Sequence, residues 1–264
     1  MNLYARIAAA GVAATLAAGL AVPTATAEQR AGERRAAFQP TLEASSADVV
    51  ALRWFVLKGT VSPAVKGTPV ILQKKVRNKR WVDEARLRTT KKGTFRYRDQ
   101  PHVAGVRTYR VVAPAVGGRA RGVSAPVTVT VYKWQSLGKL PVRRSTDTWP
   151  NRSGGSINGV LYSPVIQGVV GDTTTEGLSD WNLARKCLSL RATVGNGDQS
   201  NTDAVATITL AGDATTLYSR SFGLTESEKA TFDLTDVFRL TFSWTAAPGG
   251  AQAMLAEPEV LCAF

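Results

Sequence analysis

The strongest constraint on the fold is a hydrophobic pattern with a period of two. Over residues 127–131, three valines alternate with two threonines, and such a β-branched run predicts a strand with one buried face. Similar short runs recur through residues 48–132 and 133–264, separated by turn signals rich in glycine and proline. No sustained helical period lies between them. The sequence therefore predicts an all-β protein built from β-sandwiches.

Charge divides the chain into two unlike parts. The net charge is +13, yet residues 28–134 hold 22 Lys and Arg against 7 Asp and Glu, whereas residues 135–264 hold 10 against 13. Such asymmetry indicates two domains with different partners. We expect a strongly basic sandwich over residues 48–132 and a nearly neutral one over residues 133–264.

The first residues have the pattern of a targeting segment. Residues 1–27 have a single basic residue, Arg6, followed by an apolar run, and they end in Ala-Thr-Ala, a small-x-small cleavage site. We predict a signal peptide here and an extracellular, envelope-associated protein, with no membrane span in the mature chain. Residues 28–47 are polar and alanine-rich, and we expect a flexible leader there.

The two cysteines, Cys187 and Cys262, are expected to pair. In an exported chain an even number of cysteines indicates a disulfide, and the alternative is two buried free thiols. A disulfide would place the two Cα atoms about 4.4–6.8 Å apart.

The residues that could support catalysis do not form a recognisable set. His102 is the only histidine, and no serine or cysteine nucleophile can be paired with it from sequence. Residues 154–158 nearly match a nucleophile elbow, but asparagine fills the last glycine position. Glu257 and Glu259 are expected to be rim charges rather than a glycosidase pair. We therefore expect no enzyme, no catalytic residue and no cofactor.

One polar segment has two interpretations, an ordinary turn and a metal site. Residues 196–203 are rich in side-chain oxygens, as a calcium site requires, but they lack the order of an EF-hand loop. An ordinary turn between two strands is the expected structure, and no Cys/His spacing predicts another metal site.

Basic residues two apart recur on three successive predicted strands. A period of two places each pair on one side of its strand. If these strands are neighbours, the six cations share one sheet face and concentrate polyanions; a merely solvated face is the alternative. For an exported protein we expect an anionic envelope polymer rather than nucleic acid. The six residues are Lys75, Arg77, Arg86, Arg88, Arg96 and Arg98.

Aromatic and polar residues of the second half could form a sugar site. Sugars require a flat aromatic platform and a few fixed polar groups. Trp149, in a polar loop between Thr148 and Pro150, is the best candidate for an exposed platform, although core packing is the commoner position of an aromatic. The candidate ligand-binding residues are Trp149, Arg152, Asn158, Tyr162 and Trp181.

A series of short motifs in the second half is similar to a known family. The motifs cover residues 156–162, 181–183, 192–198, 208–213 and 258–262. They resemble the NPCBM group of secreted bacterial carbohydrate-binding-type modules, which are jelly-roll β-sandwiches. The resemblance implies a jelly roll over the second half and a glycan ligand.

The first half resembles a different group of modules. The motifs Gly59-Thr60-Val61, Pro69–Gln73, Trp81-Val82, Gly93-Thr94-Phe95 and Tyr109-Arg110-Val111 are similar to those of immunoglobulin-like sandwich modules in secreted bacterial proteins. This resemblance implies an immunoglobulin-like fold and little about activity, because the fold hosts many functions.

These observations predict a secreted, non-enzymatic binding protein that associates with glycans or anionic polymers of the cell envelope. The alternative is a protein–protein adhesion or structural envelope module without sugar binding. That alternative stays open because two family elements differ. Residues 168–171 replace a Gly-x-x-His element, and residues 255–257 replace a Trp-Ala-Asp-type segment.

Overall fold

The computed structural model describes residues 36–77, 79–169, 171, 173–247 and 249–264. Within this part of the chain, strands make up the regular structure apart from one short 3₁₀ helix, Leu137–Lys139. The predicted all-β class is confirmed. The predicted signal peptide lies outside the described residues.

Ten strands precede the 3₁₀ helix. They are β1 (Gln39–Pro40), β2 (Glu43–Ala44), β3 (Asp48–Val50), β4 (Phe55–Ser62), β5 (Pro69–Val76), β6 (Val82–Arg88), β7 (Thr94–Asp99), β8 (Gly105–Ala113), β9 (Gly122–Val123) and β10 (Val127–Ser136).

These strands form an N-terminal sandwich of two sheets. In the first, here the β4 sheet, β4 pairs with β1, β2 and β7. In the second, the β8 sheet, the order is β6-β5-β8-β10, with β3 parallel to β10 and β9 beside β8. Buried side chains from both sheets, including Leu57, Leu72 and Val129, meet in one core cluster. The alternation at residues 127–131 therefore has the predicted cause, a strand with one buried face.

The described part of the predicted flexible leader is ordered. Residues 36–47 contribute β1 and β2, and the side chains of Phe38 and Leu42 are buried in the core of the N-terminal sandwich. The prediction was wrong for this segment because two isolated apolar residues, without a sustained period, are enough to attach it to the exposed edge of β4.

Twelve strands follow the 3₁₀ helix. They are β11 (Val142–Thr146), β12 (Thr148–Arg152), β13 (Gly155–Ile157), β14 (Val160–Tyr162), β15 (Val165–Gly168), β16 (Glu176–Asn182), β17 (Cys187–Asn196), β18 (Val205–Gly212), β19 (Thr215–Phe222), β20 (Ser227–Asp233), β21 (Arg239–Ala247) and β22 (Ala253–Cys262).

The C-terminal sandwich consists of two antiparallel five-stranded sheets and a hairpin. The β21 sheet has the order β11-β16-β21-β18-β19, and the β22 sheet has the order β12-β15-β22-β17-β20. The largest core cluster lies between them and includes Trp181, Trp244 and Phe242, all of which are buried. The β13–β14 hairpin lies outside this core, on the outer face of the β22 sheet.

One strand belongs to both sandwiches. Residues 127–131 of β10 pair with β8, whereas residues 133–136 pair with β22. The domain boundary predicted between residues 132 and 133 falls inside this strand. Hydrogen-bonded strands therefore connect the two sandwiches directly. None of the described residues forms a helix long and apolar enough to span a bilayer.

Candidate functional site

Trp149 lies on the edge strand of the β22 sheet, with its side chain on the outer face. It stands directly opposite Gln167 of β15 and is 42% exposed. The preceding residue, Thr148, points the other way and is buried. The guanidinium carbon of Arg152 lies 5.1 Å from the centroid of the indole, within the range of a cation–π interaction. The structure thus brings Trp149 and Arg152 together as an exposed pair.

Asn158 lies at the tip of the β13–β14 hairpin rather than beside Trp149. Asn158 and Gly159 both have positive φ, 51° and 72°, as the central residues of a type I′ turn require. Their backbone N–H groups donate to the carboxylate of Asp198, at 2.6 and 2.9 Å. This part of the oxygen-rich segment 196–203 therefore fixes the hairpin.

The other face of the hairpin packs on the sheet. Ile157 is buried against Val165, Met254 and Ala256 of the outer face, and Tyr162 packs against the same cluster. Tyr162 is only partly buried, so its ring contributes to this contact and also faces solvent. The hairpin covers the outer-face residues of β15 and β22.

The prediction that Trp181 contacts a ligand is wrong. Its side chain is 0% exposed and belongs to the main core cluster. Trp181 lies on β16, which is flanked on both sides by β11 and β21, and the inward positions of this strand point between the two sheets. Trp149 escapes burial because its side chain points away from that core.

A polar groove crosses the outer face of the β22 sheet, and no motif of the sequence predicted it. Its volume is about 400 Å³, and a second depression of about 270 Å³ adjoins it through Glu257 and Glu259. Nε and Nη2 of Arg191 donate to Oε2 of Glu259, at 2.8 and 2.6 Å. The sequence does contain a signal for this polar face, because polar residues occupy every second position of β17 and β20. The polar lining residues are Arg191, Thr193, Lys229, Thr231, Glu257 and Glu259.

The six candidate polyanion-binding cations do not share one sheet face. Lys75, Arg86 and Arg88 lie on β5 and β6 of the β8 sheet, but Arg96 and Arg98 lie on β7. The prediction of a common face was wrong because β7 pairs with β4 instead of β6. Arg77 follows the end of β5 and faces another part of the surface, described below.

Every tryptophan outside the cores has a cation beside its ring. Arg98 lies 4.8 Å from the ring centroid of Trp54, and Arg191 lies 4.3 Å from that of Trp134. Trp81 contacts two cations, Arg110 at 4.2 Å and Lys75 at 5.4 Å. With Trp149 and Arg152, these pairs leave only the two core tryptophans, Trp181 and Trp244, without such a contact among the described residues. A stacked cation is therefore a general property of the surface tryptophans.

Cys187 and Cys262 form the expected disulfide. They are direct partners on β17 and β22, and their Cα atoms lie 4.0 Å apart. This separation lies below the expected range of about 4.4–6.8 Å.

No metal-ligand set is visible among the described residues, since no three His, Cys, Asp or Glu side chains come together. Asp198, in the segment considered for calcium, is instead engaged by the hairpin amides. His102 lies in an exposed loop between β7 and β8.

Comparisons with known proteins give only distant structural likenesses. No family model and no curated protein sequence matches the chain. A CBM51 module from Clostridium perfringens GH95, solved with methyl-galactose, is 11% identical over 48% of this chain and 99% of its own, with a TM-score of 0.37. CBM51-2 with GlcNAc and INT domains from C. perfringens ZmpB are 10% identical over 84% of this chain and 48% of their own, with a TM-score of 0.38. At these scores the likeness carries no argument about ligand or activity.

Proposed function

We propose that this chain is a secreted, non-enzymatic binding protein whose C-terminal sandwich associates with glycans. The observation that carries the proposal is the exposed indole of Trp149 on the outer face of the β22 sheet. An indole offers an apolar face for the C–H groups of a sugar ring. The adjacent guanidinium of Arg152 supplies hydrogen-bond donors for hydroxyls.

The polar groove supports the same function. It presents two hydroxyls, from Thr193 and Thr231, together with Lys229 and two carboxylates on one face. These groups can donate to and accept from sugar hydroxyls. Stacking plus a few hydrogen bonds predicts micromolar-to-millimolar affinity, about −8 to −4 kcal/mol.

The motif resemblance adds the expected identity of the two modules. We propose an immunoglobulin-like module over residues 48–132 and an NPCBM-like jelly roll over residues 133–264. In favour of the first, β4 pairs with β7 in one sheet while β5, β8 and β10 form the other, a division similar to that of immunoglobulin sandwiches. Extracellular localisation rests on the predicted signal peptide and agrees with the disulfide.

The test is binding of the full mature chain to a broad glycan array, compared with two variants. Trp149→Ala should lose binding, whereas Trp54→Ala should retain it. Trp54 is a matched control because it is also exposed, at 56%, and also carries an arginine, Arg98. Equal loss in both variants, or no binding by the wild-type chain, would refute the proposal.

A second candidate function follows from the charge of the N-terminal sandwich. Exposed arginines lie on both of its sheets, Arg86 and Arg88 on β6 of the β8 sheet and Arg96 and Arg98 on β7 of the β4 sheet. We propose that this module holds the protein on anionic envelope polymers through long-range attraction, which salt screens over about 8 Å at physiological ionic strength. Retention on wall preparations should fall steeply with added salt. Retention that does not change with salt concentration would exclude electrostatic binding.

One exposed apolar feature favours the alternative of a protein partner. In the β13–β14 hairpin, Leu161 is 75% exposed and its neighbour Val160 is also exposed. Such residues are typical of protein contacts when they are gathered into a patch. If the array shows no glycan binding, the C-terminal sandwich is better described as an adhesion module that uses this hairpin.

A further inference from the structure

A cleft with three cations lies where the two sandwiches meet. Its volume is about 650 Å³, which is within the usual range for small-ligand sites. The N-terminal sandwich contributes Arg77, Thr108, Thr130 and Tyr132, and the C-terminal sandwich contributes Arg185, Lys186, Ala263 and Phe264. The cleft belongs neither to the outer groove nor to the Trp149–Arg152 pair.

Arg77 is directed into the cleft by the local backbone. It has a left-handed φ of 49° directly after β5, and its N–H donates to the carbonyl of Val106 at 3.2 Å. Gly105 leaves the space that the side chain uses, because a Cβ there would lie 3.3 Å from Nε of Arg77. A left-handed non-glycine residue costs of order 1 kcal/mol and persists where its surroundings impose it.

The cations of the second sandwich come from a tight turn between β16 and β17. Arg185 also has a left-handed φ, 56°, and its N–H donates to the carbonyl of Val237 at 3.2 Å. The carbonyl of Lys186 accepts from the N–H of Ala263 at 2.9 Å. These hydrogen bonds fix the backbone of the turn on the C-terminal side of the cleft. The guanidinium carbon of Arg185 also lies 5.4 Å from the ring centroid of Phe238, beside the cleft lining.

The positive charge of the cleft is poorly neutralised. Among the described residues, no Asp or Glu side chain lines the cleft, and no carboxylate forms an ion pair with Arg77 or Lys186. Two carboxylates lie nearby. Asp213 interacts electrostatically with Arg185, and Asp48, on β3, is the strand partner of Thr130 on β10. Elsewhere, cations such as Lys74 have direct carboxylate partners.

Hydroxyl groups complete the lining. Thr108 and Thr130 lie on the outward face of the neighbouring strands β8 and β10, and Tyr132 follows on the same face of β10. Burial, with a smaller contribution from Asp48, raises the pKa of Tyr132, so its hydroxyl remains a donor at neutral pH. Cationic and hydroxyl donors around one cleft match an anion with several acceptor oxygens.

We propose that this cleft binds a phosphate or sulfate ester carried on a sugar-sized unit, with Arg77, Arg185 and Lys186 on the ester group. The proposal goes beyond glycan binding at Trp149 and does not depend on it. Because both sandwiches supply cations, a ligand bound in the cleft would also fix the position of the two sandwiches relative to each other.

The experiment is calorimetric titration of the full mature chain at physiological salt with glucose 6-phosphate, glucose 6-sulfate and glucose. The two esters should bind, with their relative affinities showing which is preferred, and glucose, which lacks the anionic group, should bind at least tenfold more weakly than the preferred ester. Arg77→Gln combined with Lys186→Gln should weaken ester binding at least tenfold. The same double variant should keep the glycan binding of the wild-type chain on the array, which separates this cleft from the proposed glycan site at Trp149.

The matched control is Lys91→Gln combined with Lys92→Gln. These two lysines are exposed in the turn before β7, and their replacement changes the net charge by the same amount. Thermal melting of both double variants shows whether they are folded. The proposal is overturned if neither ester binds the wild-type chain, or if the control weakens binding as much as the cleft variant does.

Discussion

Nε1 of Trp244 donates a hydrogen bond to Oγ1 of Thr148 at 3.2 Å. Both groups are buried, and the bond connects the core of the C-terminal sandwich to the edge strand that exposes Trp149. Glycines make room for this indole: a Cβ at Gly168 or Gly177 would lie 2.5 or 2.6 Å from it. The strand that carries the candidate sugar platform is therefore anchored to the core through Thr148, the residue before Trp149.

Two tryptophans in the same sandwich should respond oppositely to truncation. Trp149→Ala removes an exposed ring and one cation–π contact, so we expect a loss of stability below about 1 kcal/mol. Trp181→Ala empties a fully buried site and should cost roughly 3–5 kcal/mol. Urea unfolding of the two variants measures both values. A large loss for Trp149→Ala would show that this residue is structural.

The contrast between these tryptophans also shows how far the sequence could predict the site. Both have polar neighbours in the chain, Thr148 for one and Asp180 and Asn182 for the other. Only the position of each strand in its sheet, and the face on which the ring lies, decides exposure. Neither is encoded in the local pattern.

Local sequence patterns predicted the strands correctly, but they did not predict which side chains share a surface. The alternation at residues 127–131 and the turn residues are short-range signals, and they predicted strands correctly. The arrangement of the cations depended on which strand pairs with β7, a long-range choice, and the common face was therefore predicted wrongly. The cleft at Arg77 requires two turns that are more than 100 residues apart in the chain.

Asp198 should control the order of the β13–β14 hairpin. Asp198→Ala removes the acceptor of two backbone N–H groups, those of Asn158 and Gly159, and should cost about 1–2 kcal/mol of local stability. Hydrogen exchange at these two amides should accelerate. Asp203→Ala, in the same loop and exposed, is the control. Unchanged exchange in Asp198→Ala would contradict the assigned contact.

Loss of the disulfide should destabilise the chain substantially. The bridge joins residues 75 positions apart, and the entropic model gives about 4 kcal/mol for a loop of this length. Replacing both Cys187 and Cys262 by alanine should lower the urea midpoint and increase the slope, because the unfolded chain without the crosslink is less compact and exposes more surface. Reductant should destabilise the wild-type chain and leave the double variant unaffected. Detection of two free thiols in the native, unreduced protein would exclude the bridge.

Acid should weaken the C-terminal sandwich through Asp213. Its carboxylate accepts the N–H groups of Phe238 at 2.9 Å and Arg239 at 2.8 Å. The hydrogen bond from Phe238, followed by that from Arg239 and the nearby guanidinium groups, lowers the pKa of Asp213 below its ordinary value of 3.8. A depressed carboxyl pKa contributes stability that is present above the ordinary value and is lost as the pH falls through the folded-state value.

Asp213→Asn should therefore lower the melting temperature at pH 7 and pH 5 by the same amount. The difference in melting temperature between the variant and the wild-type chain should narrow below about pH 4, where Asp213 of the unfolded chain begins to protonate. It should narrow further as Asp213 of the folded chain protonates at lower pH. Asp203→Asn, an exposed change of the same charge, controls for the altered net charge. Melting curves from pH 7 to pH 2 make the comparison. A gap that stays constant over this range would show that the ionised state of Asp213 does not contribute to stability.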